Sequence, residues 1–130
     1  MRVYRIAKKD YARDLTGLGA KLYGGRWNRR GTALIYTSET RSLATLEFLV
    51  HVSLPCVPTG LSIATIEIPS DLVPEEMTPG SLPRNWREHP SSSKSADIGT
   101  KWAKSNRSLL LRVPSAVVET AHGENAQNPA

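Results

Sequence analysis

Nine prolines constrain this 130-residue chain more than any other feature. Proline cannot continue a helix interior or donate to a strand ladder, so each one closes an element. A helix that begins after Thr40 must stop before Pro55. The apolar run Leu61 to Ile68 ends at Pro69, and Leu109 to Val113 ends at Pro114. Between Pro69 and Ser95 stand Pro69, Pro74, Pro79, Pro83 and Pro90, followed by the serine run Ser91 to Ser93. That segment reads as loop, with one helical turn around Asn85 to Glu88. So long an irregular stretch in a small domain is usually functional or mobile.

The windows that remain set the element order. Val3 to Ile6 reads as a first strand and Asp10 to Leu15 as a helical turn. Gly17-Leu18-Gly19-Ala20 and Gly24-Gly25 break the chain. Ala33 to Thr37 reads as a strand. Ser38 or Thr40 caps a helix running to about Val52, with Glu39 near its positive end. Leu61 to Ile68 is a second clear strand. Ser95 to Ser105 is a helix with Ile98 and Trp102 one turn apart. Leu109 to Val113 is a buried strand that Ala116 to Glu119 extends or follows. Strands come first, last and between helices. The expectation is one domain of α+β or mixed class, a small mixed or antiparallel sheet with flanking helices.

Composition bounds the chemistry. The chain is 39% hydrophobic and 22% charged, as a globular domain is. Its net charge of +5 favours anionic partners. The basic residues are scattered, with Arg26, Arg29 and Arg30 the nearest thing to a cluster, so no nucleic-acid arm is indicated. The lone Cys56 excludes an internal disulfide and fits a reducing compartment. The alternating N-terminus lacks a signal peptide's apolar core, and no apolar run approaches the roughly 20 residues that span a bilayer. The reading is a soluble cytoplasmic protein. His51, His89 and His122 lack metal-ligand spacing, which argues against zinc. No Gly-x-Gly-x-x-Gly, P-loop or Gly-x-Ser-x-Gly occurs.

Five positions stand out. On a helical wheel with Leu43 at zero, Ala44 falls at about 100°, Glu47 at about 40° and Val50 at about 340°. Glu47 therefore sits inside the apolar arc, where a carboxylate either pairs with a structural arginine or faces a cleft. Arg26 follows two glycines that permit positive φ or close approach to a ligand. Its planar fork suits phosphate, though an exposed turn arginine fits as well. Trp27 beside it reads as packing first and stacking platform second. Tyr36 is core or cleft wall. Ser115 ends the last strong strand, a common place for site residues but also an ordinary turn signal.

Gly-Gly-Arg-Trp-Asn (Gly24 to Asn28), Leu-Ala-Thr-Leu-Glu ending at Glu47, and Val-Pro-Ser ending at Ser115 together resemble the RES domain toxins, partners of Xre-type antitoxins. Tyr4-Arg5-Ile6, Gly19-Ala20, Ile35 to Ser38, the helix with Gly99 and Trp102, and Leu110 to Val113 extend the resemblance over nearly the whole chain. It implies a fold similar to the ADP-ribosyltransferase toxins and an enzyme acting on NAD. The nicotinamide–ribose bond would be cleaved by hydrolysis or phosphorolysis, or ADP-ribose transferred to a protein. It implies Glu47, Arg26 and Ser115 as catalytic residues, and Arg26, Tyr36, Arg5 and Trp27 as NAD-binding residues, with no metal. It further implies an Xre-type antitoxin covering the active site, growth inhibition when unopposed, and a homodimer as one arrangement. Family members continue past an Asn-Pro segment such as Asn128-Pro129, so the C-terminus is where this sequence departs from the family, and a catalytically weakened member is the alternative that departure implies. The competing readings are a basic nucleic-acid-binding module and a family member that keeps the fold without turnover.

Overall fold

The computed structural model describes residues 1–50, 59–88 and 91–117. Cys56, His51, His89, His122, the helix end at Val52 and the Asn128-Pro129 segment lie outside them, as do Val118 and Glu119. The chain forms two compact units. One takes Met1–Leu15 and Tyr36–Asp71; the other takes Thr16–Ile35 and the chain from Leu72 on.

The first unit is built on an antiparallel strand pair. Strand β1 (Arg2–Lys8) lies against β2 (Leu61–Glu67), with Val3 opposite Ile66 and Arg5 opposite Ala64. β2 alternates between half-buried and exposed positions from Ser62 on, as a half-buried strand does, whereas β1 is exposed only at its two ends. Helix α2 (Arg41–Val50) packs on β1. Its start is set by Thr40, whose hydroxyl accepts from the Leu43 amide at 3.0 Å, the sequence-expected cap. Arg41 then sits 5.1 Å over the Tyr4 ring, a cation–π contact worth about 0.5–1 kcal/mol at an exposed site. Val3, Ala12, Ala44 and Ile68 are this unit's buried apolar residues.

The second unit centres on helix α3 (Ser93–Ser105), capped by Ser92, whose hydroxyl accepts from the Lys94 amide. The short helix α1 (Leu18–Tyr23) precedes it in sequence. Strands β3 (Glu75–Glu76) and β4 (Leu111–Arg112) pair in parallel. Trp27, Trp86 and Ala96 supply its buried apolar residues, and Asn28, Ser95 and Thr100 are buried polar ones.

The α+β class expected from sequence is the class observed. Three local readings differ. The glycines at 17 and 24 do bracket a break, but six residues between them close into α1. Residues 33–37 form no ladder. Only Ser38 is bridged, exchanging two 2.8 Å bonds with Tyr4 across the edge of β1 that β2 leaves open. The late strand shrinks to Leu111–Arg112, with Leu109 exposed, because β3 offers it only two residues to pair with. Apolar composition promised longer strands; the number of available partners shortened them.

Candidate active site

The candidate residues divide between the two units. Arg5, Tyr36 and Glu47 belong to the first; Arg26, Trp27 and Ser115 belong to the second.

Glu47 lies on α2 beside buried Ala44 and half-buried Leu43, and is itself half-buried. The exposed side of the helix carries Leu46, Leu49 and Val50 instead. The wheel had Val50 on the packed arc with Glu47. The packed arc is in fact centred nearer Ala44, so Val50 falls outside it while Glu47 stays within it, between Leu43 and Ala44. A carboxylate on the packed side, with three aliphatic residues facing solvent, reverses the usual amphipathic arrangement.

Tyr36 is 39% exposed, two residues before the Ser38–Tyr4 bridge that fixes its backbone. Arg5, the weaker candidate, uses Nη1 to donate to the carbonyls of Tyr11 (2.7 Å) and Ala12 (3.1 Å). That bond pair closes the 3-10 turn Lys9–Tyr11 onto β1.

The Gly24 to Asn28 motif is a tightly bonded loop. Gly24 has φ 74° and ψ 172°, a region open almost only to glycine. Gly25 and Asn28 bridge through their backbones. The Asn28 side chain is 1% exposed, and its Nδ2 donates to the carbonyls of Ala20 (2.8 Å), Thr32 (3.0 Å) and, more weakly, Arg29 (3.3 Å). One amide thus ties α1 to both ends of the following turn. Trp27 is buried at 5% exposure, so it packs rather than presenting a ring for stacking.

Arg26 is half-buried, and its Nη1 donates to the carbonyls of Trp86 (2.7 Å) and Glu88 (3.0 Å). Those carbonyls come from the turn at 83–88, where the Trp86 amide bonds back to Pro83 and the Glu88 amide to Asn85. The proline-rich segment therefore holds the arginine that the sequence singled out.

Helix α3 grips the same loop. Its buried face is Ser95, Ala96, Gly99 and Thr100. The Thr100 hydroxyl accepts from the Arg29 amide at 2.9 Å. Arg29 pairs with Asp97 through both Nε and Nη2. That hydrogen-bonded pairing, opposed in part by desolvation, holds the Asp97 carboxyl below its ordinary range and raises the Arg29 guanidinium. Sequence reasoning did not assign Asn28, Asp97, Gly99 or Thr100 these tasks. Gly99 offered a signal, since a mid-helix glycine costs about 1 kcal/mol and needs a packing reason.

Ser115 is half-buried, and its hydroxyl accepts from the Val117 amide at 3.1 Å, a serine turn that fixes the side chain after Pro114. Among the described residues no group of three or more His, Cys, Asp and Glu could hold a metal. None of their helices is long and apolar enough to cross a membrane.

The family model for the RES domain matches residues 2–128. The chain belongs to the RES domain family. It is 40% identical over 119 residues to the Prs ADP-ribosylating toxin of Sphingobium sp. (strain YBL2), covering 90% of this chain and 74% of that protein. It is 42% identical over 121 residues to Toxin Res of Yersinia enterocolitica, covering 92% and 79%. It is 32% identical over 120 residues to Toxin Res of Pseudomonas putida, covering 91% and 78%.

Proposed function

We propose that this protein is a toxin that consumes NAD by breaking the bond between nicotinamide and ribose. An Xre-type antitoxin would neutralise it. The observation that carries the reading is Glu47, a carboxylate kept on the packed side of α2 while Leu46, Leu49 and Val50 take the solvent positions. Relatives named as toxins, one of them ADP-ribosylating, support the same class of chemistry.

The bond between C1′ and the pyridinium nitrogen breaks with both electrons leaving on nitrogen. Nicotinamide departs neutral, so no general acid is required. One carboxylate suffices, unlike the pair most glycosidases use. Glu47 accepts a hydrogen bond from a ribose hydroxyl and offsets the positive charge developing at C1′. Partial burial strengthens that effect by lowering the local dielectric. Arg26, steadied by the Trp86 and Glu88 carbonyls, binds the pyrophosphate. Tyr36 lies against nicotinamide. Ser115 orients ligand or a neighbouring group. Arg5 closes the Lys9–Tyr11 turn, and buried Trp27 anchors the Arg26 loop.

Water or phosphate attacking C1′ completes hydrolysis or phosphorolysis. Transfer of ADP-ribose to a protein is the second reading, favoured by the Sphingobium relative's name. The test follows free nicotinamide from NAD with and without phosphate, and identifies the second product. Wild type should release nicotinamide, and Glu47→Gln should be slower by about 100-fold or more, the usual loss when a preorganised electrostatic group is removed. No release by wild type, or equal release by the variant, would overturn the reading. ADP-ribose, ADP-ribose-1″-phosphate or a modified protein each identifies the acceptor.

A further inference from the structure

A cavity of about 220 Å³ opens in the second unit, lined by none of the residues assigned to NAD. Its apolar lining is Met77, Ile98, Trp102 and Leu111. Its charged lining is Lys101, Arg107 and Glu75. Sequence reading noted Ile98 and Trp102 as a helical pair but gave them no task beyond packing.

The walls are fixed before any ligand arrives. The Trp102 indole N–H donates to the Ser108 hydroxyl at 2.9 Å, which sets the ring plane. Arg107 meets both Glu75 carboxylate oxygens, at 3.2 and 2.7 Å. The Glu75 amide bonds the Leu110 carbonyl, and the Met77 amide bonds the Arg112 carbonyl, so the β3–β4 ladder holds the opposite side. A preformed wall costs a ligand little ordering free energy.

Charge and size select the ligand class. Glu75 and Arg107 neutralise each other. Lys101 has no carboxylate partner among the described residues, so it sets the sign of the site. Ligand pockets usually run about 300–1,000 Å³, and this one is smaller, with room for a single ring system. The aromatic face of Trp102 favours an aromatic guest. We propose that this cavity binds a small aromatic monocarboxylate. The ring lies among Met77, Ile98, Trp102 and Leu111, and the carboxylate meets the Lys101 ammonium.

The test uses indole-3-acetate and its cationic counterpart tryptamine as probes. Titrated into the full ¹⁵N-labelled chain, indole-3-acetate should shift the Trp102 indole N–H cross-peak saturably, and tryptamine should bind at least tenfold more weakly. Trp102→Phe identifies the peak. Lys101→Glu should fold normally, because Lys101 is exposed on α3, and should reverse the order of the two probes. No saturable shift, equal response to both probes, or an order unchanged by Lys101→Glu would overturn the proposal. Each readout is independent of NAD turnover.

Discussion

Trp27 and Gly99 meet backbone to backbone: a Cβ added at Gly99 would stand 1.7 Å from the Trp27 carbonyl oxygen and 2.9 Å from the Trp27 Cβ. Neither obstacle is the flexible end of a side chain. Relief therefore requires α3 to move away from the loop that carries Arg26. Overpacking usually costs about 1–3 kcal/mol, and a backbone clash this close should reach or exceed the top of that range. Gly99→Ala should lower the melting temperature and, in whatever fraction folds, raise KM for NAD more than it lowers kcat. A variant as stable as wild type would show that the contact yields at no cost.

One turn before Gly99 on the same face, Ser95 is fully buried and its hydroxyl has no hydrogen-bond partner among the described residues. An unsatisfied buried hydroxyl costs about 1–3 kcal/mol, and alanine fits the same space without it. Alanine is also the better helix former. Ser95→Ala should therefore raise stability by about 1 kcal/mol in denaturant unfolding, with an unchanged slope. A loss of stability would mean that the hydroxyl is satisfied in solution.

These two positions also mark what the sequence made legible. Periodicity and proline placement located β1, β2, α2 and α3 within a few residues, because those signals are local. Motif residues pointed to Arg26, Glu47 and Ser115. The grip of α3 on the Arg26 loop was not readable, since Gly99 and Trp27 lie far apart in sequence and neither carries a charge or a period that names the other. The strand expected at 33–37 failed for a related reason. A strand needs a partner edge, and only Ser38 found one, at Tyr4. Arg26 illustrates a third limit. Its identity suggested phosphate, but its partners here are the Trp86 and Glu88 carbonyls, supplied by a segment that reads merely as loop.

The pairing of Arg29 with Asp97 makes the same loop sensitive to acid. Asp97 titrates near 3.8 when unperturbed, and the Arg29 guanidinium lowers that value in the folded chain. A folded-state carboxyl held below its unfolded value adds stability at neutral pH, where it is charged in both states. As pH falls below about 4 the unfolded chain takes up the proton first, and the contribution disappears as the folded carboxyl follows. The pair is more than half exposed, so salt should weaken it. Thermal unfolding of wild type and Asp97→Asn, followed from pH 7 to pH 3 at low and high salt, separates this pair from other carboxylates. The two proteins should differ most at pH 7 in low salt and converge in acid. A difference that persists unchanged at pH 3 would show that Asp97 acts through shape rather than charge. Because Thr100 holds the Arg29 amide independently of the ion pair, the loop should survive that titration, and acid should loosen its grip on α3 without releasing Arg26.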